Sequence, residues 1–123
     1  MNNLTKILIL SALAAPICRA TETRSESIDV NKLANAIYLA EGGARTKYPY
    51  GILRKYKQTS PRQACINTIN HAKRDYALAR SEKRDFITFL GLRYCPLQAK
   101  NDSKGLNKNW VKNVKKLYYK RSQ

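Results

Sequence analysis

A small, mainly α-helical domain, with about four helices and a short loop or hairpin after the first, is predicted by three observations. Four separate stretches place apolar residues at three- and four-residue spacing, the repeat of a helix with one face turned to a core. Cap and stop residues bracket those stretches. The one stretch with strand character, residues 48–53, is short and interrupted by Pro49 and Gly51.

The first helix follows Asp29, which can cap it, and carries Val30, Leu33, Ala34, Ile37 and Tyr38 on one face. Glu41 continues that face by one more turn, and Gly42 and Gly43 then stop the helix. Residues 48–53 read as a loop entering a short strand or a rudimentary hairpin. A second helix opens on Ser60-Pro61-Arg62-Gln63, with serine as cap and proline at the first helical position. Its stripe is Cys65, Ile69, Ala72, Tyr76 and Ala79, and it is expected to end near Arg80. His71 lies beside the stripe and reads as a structural or partly exposed histidine. The third helix spans residues 85–94, with Phe86, Phe89, Leu90 and Tyr94 on one side, Gly91 allowing a close neighbour, and Pro96 stopping it. A polar loop, residues 97–105, leads to Asn107 as cap of a last helix carrying Trp110, Val111, Val114, Leu117 and Tyr118. Those five are first of all core residues.

The chain has 123 residues and room for one domain. Residues 1–20 resemble an export signal: Lys6, then an apolar run, then Cys18-Arg19-Ala20 at a cleavage-like site. A flexible leader (residues 21–28), the domain itself (29–119) and a basic tail (120–123) follow. Export implies a periplasmic or secreted protein, and no later stretch is long and apolar enough to span a membrane. Removal of the signal also removes Cys18, leaving Cys65 and Cys95 as an even pair expected to form one disulfide. Two cysteines and the lone His71 cannot fill a four-ligand zinc site, so no metal or cofactor is expected.

The formal net charge is +16, with basic residues in every segment. Such a field attracts polyanions in general. Export selects anionic envelope polymers over nucleic acid as partners, with a merely solvated basic surface as the alternative.

Glu41 stands out. A carboxylate in the last turn of a helix faces the negative end of the dipole, and an apolar face strips its water, so both effects favour the protonated acid. That is the state a general acid needs. The competing reading is a surface glutamate on a frayed turn.

The order of these features, Glu41-Gly42-Gly43 at a helix end and then Tyr48-Pro49-Tyr50-Gly51-Ile52-Leu53, resembles the lysozyme-like superfamily, in particular lytic transglycosylases and goose-type lysozymes. Arg93-Tyr94-Cys95-Pro96 and residues 107–114 are similar to segments of small exported lysozyme-like proteins. The resemblance implies a lysozyme-like fold and cleavage of the β-1,4 bond between N-acetylmuramic acid and N-acetylglucosamine in peptidoglycan, by a monomer whose partner is the glycan strand. It makes Glu41 the proton donor. Tyr48 and Tyr50, and more distantly Tyr94, become candidates to stack on sugars, or else are turn and core tyrosines. The family commonly carries Gly-Leu-Met-Gln where this chain has Gly51-Ile52-Leu53-Arg54, so Arg54 occupies a substrate-shaping position with a different side chain. No acidic residue lies between Glu41 and Asp75. A two-carboxylate glycosidase needs a second acid, so the resemblance points to the single-glutamate scheme that ends in a 1,6-anhydro sugar. A non-catalytic wall-binding or accessory protein on the same scaffold is the alternative, and a secreted cationic protein that acts on anionic membranes through its charge is a third reading.

Overall fold

A computed structural model of the chain describes residues 27–94 and 108–121. Among the described residues the fold has four helices, α1 (Val30–Ala40), α2 (Pro61–Leu78), α3 (Phe86–Tyr94) and α4 (Lys108–Tyr118), with 3-10 turns at Gly43–Arg45 and Pro49–Gly51. The protein is mainly helical, as the spacing of apolar residues predicts, and no strand occurs among the described residues.

Two of the caps read from sequence, Asp29 and Ser60, are in place. The Asp29 carboxylate accepts from the Lys32 N–H at 3.0 Å, and the Ser60 hydroxyl accepts from the Gln63 N–H at 3.1 Å. Each satisfies one of the donors that a helix start leaves without an intrahelical partner. Helix α2 ends at Leu78, two residues short of Arg80. The expected export signal, the Pro96 stop, the residue 97–105 loop and the Asn107 cap lie outside the described residues.

Helix α1 packs against α4 and α2, and α3 closes the bundle against α2 and α4. Helices α1 and α4 run antiparallel, since Asp29 at the start of α1 donates its N–H to Tyr118 Oη at 3.1 Å while the far end of α1 meets Trp110. Leu33, Ile37, Ile69, Ile87, Leu90 and Val114 are fully buried between them. Burial of each such side chain is worth about 1.5–3 kcal/mol against leaving it in water. Gly91 lets α3 and α4 pack closely: a Cβ there would lie 2.6 Å from Val111 Cγ2.

Of the loop or short hairpin expected over residues 48–53, the structure has the loop, built on a 3-10 turn with no strand. Pro49 starts that turn, and Tyr50 and Gly51 both take left-handed backbone, at φ 61° and 68°. Two successive left-handed residues reverse the chain too sharply for an extended strand.

Candidate active site around Glu41

Helix α1 stops where the chain needs it to. Glu41 is the C-cap, its N–H donating to Ile37 O at 2.9 Å, and Gly42 turns the chain away at φ 109°, a conformation glycine adopts without steric cost. The Glu41 side chain is half-buried and projects toward α4. There the Trp110 indole Nε1–H donates to Glu41 Oε1 at 2.7 Å, a charge-assisted length when the acceptor is ionised. Oε2 accepts no hydrogen bond among the described residues.

The carboxyl group also rests on Gly51. A Cβ at position 51 would lie 2.9 Å from Glu41 Cδ and 3.0 and 3.1 Å from its two oxygens. Only glycine meets both demands at this position, the left-handed φ and the bare Cα against the carboxylate.

Tyr50, beside it, has no such freedom, and its left-handed backbone is strained by about 1–3 kcal/mol. Two contacts hold it. Its ring packs on Tyr38 at 5.1 Å, and Arg62 donates to its hydroxyl at 3.2 Å. Arg62 also donates to Asn35 Oδ1 at 2.8 Å and to Asn31 Oδ1 at 3.2 Å. One guanidinium from α2 thus ties the turn to α1, and the turn supports Glu41.

Behind the tryptophan the packing continues. Tyr94 stacks on Trp110 with ring centroids 5.1 Å apart and planes 16° apart. The Tyr94 hydroxyl is buried beside the Cys65 thiol. Burial pushes that thiol above its ordinary range, and the Glu41 charge adds to the rise, while Tyr94 and Arg62 act against it. Cys65 is a fully buried free thiol in this structure, and Cys95, its expected disulfide partner, lies outside the described residues.

The remaining acids of the described chain are engaged elsewhere. Asp75 pairs with Arg93, Glu82 with Arg84 at 2.8 Å, and Asp85 with Lys115 at 2.7 Å. Asp29 caps the opposite end of α1, about 18 Å away at 1.5 Å per residue. No second carboxylate stands beside Glu41 among the described residues, as the gap between Glu41 and Asp75 leads one to expect.

Of the residues singled out from sequence, the structure brings Glu41, Tyr50 and Tyr94 into one connected cluster. Tyr48 begins the turn but is exposed, with Lys47 Nζ over its ring at 5.5 Å. Arg54 lies outside the cluster: it is exposed, with its guanidinium over the Tyr56 ring at 5.5 Å. The chain leaves the turn at Ile52 in extended backbone, and this carries Leu53 and Arg54 outward. His71 is exposed beside Arg74.

Two members of the site are not recognisable as such from sequence. Trp110 reads as core because its spacing is that of a core face, and it is indeed buried. The missed signal is its N–H, which needs an acceptor wherever an indole is buried. Arg62 reads only as part of a helix start, and no local pattern reveals its reach back to α1. Set beside models of known families, characterised proteins and solved structures, the chain matches none of them.

Proposed function

We propose that this protein cleaves peptidoglycan as a lytic transglycosylase, acting on the β-1,4 bond between N-acetylmuramic acid and N-acetylglucosamine with Glu41 as its single acid and base. The observation that carries the reading is the arrangement of Glu41: one half-buried carboxyl group, fixed through Oε1 by Trp110 and supported by Gly51, with Oε2 left to address a ligand. The sequence resemblance supplies the substrate class.

In the proposed reaction, protonated Glu41 gives its proton from Oε2 to the glycosidic oxygen as the bond to C1 breaks. The substrate's N-acetyl oxygen bonds to C1 and holds the positive charge. The Glu41 carboxylate then takes the proton of the sugar's own 6-hydroxyl, whose oxygen displaces the acyl oxygen at C1. The product is a 1,6-anhydro sugar, Glu41 is protonated again, and no water is consumed. A hydrolase would need a second carboxylate, about 5–5.5 Å away for retention or about 6.5–9.5 Å for inversion. Positioning is the role left for the rest of the cluster. Trp110 and Gly51 fix the acid, and Tyr50, in the turn that supports it, offers a ring for a sugar.

Arg54, standing where the family has glutamine and pointing away from Glu41, favours a second reading, a non-catalytic wall-binding or accessory protein. Mass spectrometry of soluble products from purified peptidoglycan separates the two. Anhydro-muropeptides from the wild type and none from Glu41→Gln are the expected result. Reducing-end products would mean a hydrolase, and binding without products from either protein would mean the accessory role. Equal cleavage by Glu41→Gln would remove Glu41 from the mechanism.

A further inference from the structure

We propose that residues 45–57 form a docking surface for an anionic lipid bilayer. The segment spans the Pro49–Gly51 turn and continues without regular structure toward Ser60. Of the seven large hydrophobic side chains exposed among the described residues, three lie here: Leu53 is 69% exposed, Tyr56 48% and Tyr48 42%. Interleaved with them are Arg45, Lys47, Arg54, Lys55 and Lys57, all exposed. The ion pairs of the described residues engage Arg84, Arg93 and Lys115 and none of these five. Their charge is also uncompensated along the chain, since no acidic residue occurs from position 42 to 74.

Charge alone would suit any polyanion. The apolar residues choose among them. A hydrophilic polymer could neutralise the cations but would leave Leu53 in water, whereas the headgroup region of a bilayer accepts both. It offers anionic phosphates to Lys and Arg, and an interfacial layer in which tyrosine rings and a leucine side chain are favoured. Lys47 over Tyr48 and Arg54 over Tyr56 already pair each cation with a ring in the way that interfacial residues combine an apolar body with a charged tip. The turn supporting Glu41 belongs to the same segment, so docking would bring the candidate site up to the lipid surface.

The test is co-sedimentation of the chain from Thr21 onward, which holds every described residue, with vesicles of phosphatidylglycerol and phosphatidylcholine or of phosphatidylcholine alone. Circular dichroism verifies the fold of every variant. Binding is expected only to the anionic vesicles and should weaken with salt. Arg54→Glu with Lys55→Glu should reduce it more than tenfold, since each cation near an anionic surface is worth about fivefold. Leu53→Ser with Tyr56→Ser should reduce it at unchanged charge. Lys112→Glu with Lys116→Glu, the same charge change on exposed positions of α4, should leave it within about twofold. Equal loss from the α4 pair would overturn the proposal in favour of non-specific attraction. Full binding by Leu53→Ser with Tyr56→Ser, together with complete competition by a soluble polyanion such as heparin, would overturn it in favour of a polymer site. Glu41→Gln should bind vesicles as the wild type does, which keeps this surface separate from the proposed cleavage.

Discussion

Replacing Gly51 with alanine tests the central contact of the site, because the methyl group would enter the space the Glu41 carboxyl group occupies. The new Cβ would lie 2.9 Å from Cδ, whereas ordinary contact begins near 3.4 Å. The carboxyl group must therefore retreat by about 0.5 Å. That displacement would take Oε1 out of its present 2.7 Å geometry with the Trp110 N–H, stretching or compressing a bond whose usual range is about 2.7–3.2 Å. A proton donor misplaced by 1 Å can cost about a hundredfold in rate, so a shift of half that size should lower muropeptide release about tenfold. Alanine must also adopt φ near +68°, at a cost of about 1–2 kcal/mol. In a domain of this size each kcal/mol lowers Tm by about 4–8 °C. The assays are the initial rate of soluble fragment release and a thermal melt on the same preparation. A wild-type rate with an unchanged Tm would refute the seating of Glu41 on Gly51. Loss of Tm with a wild-type rate would show that the strain is real but the contact irrelevant to the chemistry.

Trp110→Phe keeps an aromatic ring against Tyr94 but removes the indole donor together with part of the buried ring system, so it should lower the rate of release while changing Tm by less than the about 3–5 kcal/mol equivalent of Trp110→Ala; a full rate from Trp110→Phe would show that the bond to Oε1 does not position the acid. Acid sensitivity should come from the paired carboxylates. Burial pushes the Asp85 carboxyl up, but Lys115 and the backbone and hydroxyl of Thr88 together bring it below its ordinary value, and Arg93 holds Asp75 below its own. A depressed folded-state pKa adds stability above the unfolded value, near 3.9, that is lost as pH falls through the folded one. Tm should therefore be level above about pH 5 and fall below about pH 4, with a shallower fall in Asp85→Asn; an identical acid slope in that variant would assign the sensitivity to other groups. Ser60→Ala should cost about 1 kcal/mol by leaving the Gln63 N–H without its cap, and an unchanged melt would show that water replaces it fully.

Much of the helical layout follows from local sequence alone. Asp29 and Ser60 are caps because their side chains reach their own helix starts three residues on, an interaction that needs no knowledge of the rest of the chain. The α1 stop at Glu41-Gly42 is of the same kind. The apolar stripes are legible because a helix of fixed period must turn one face inward, and Leu33, Ile37, Ile69, Leu90 and Val114 all lie where that period places them. Residues 48–53 fail this logic: an apolar, aromatic run reads equally as a strand or a turn, and what decides is whether another strand is available to pair with it. None is among the described residues, and the run folds as a 3-10 turn instead.

The site shows the same division. Sequence by itself marks Glu41, through its place at a helix end on an apolar face, and marks Tyr50 and Gly51 through their order after it. It also marks the gap in acidic residues that leaves Glu41 without a second carboxylate nearby. Tertiary structure alone decides that Trp110, distant along the chain, is the donor to Glu41, that Arg62 holds Tyr50 in a strained conformation, and that Arg54 turns outward onto Tyr56. Local signals act over one or two turns of helix, so they can be read in order along the chain. A hydrogen bond such as that from Trp110 to Glu41 depends on how α1 and α4 pack, and that is set by the shapes of all the buried side chains together.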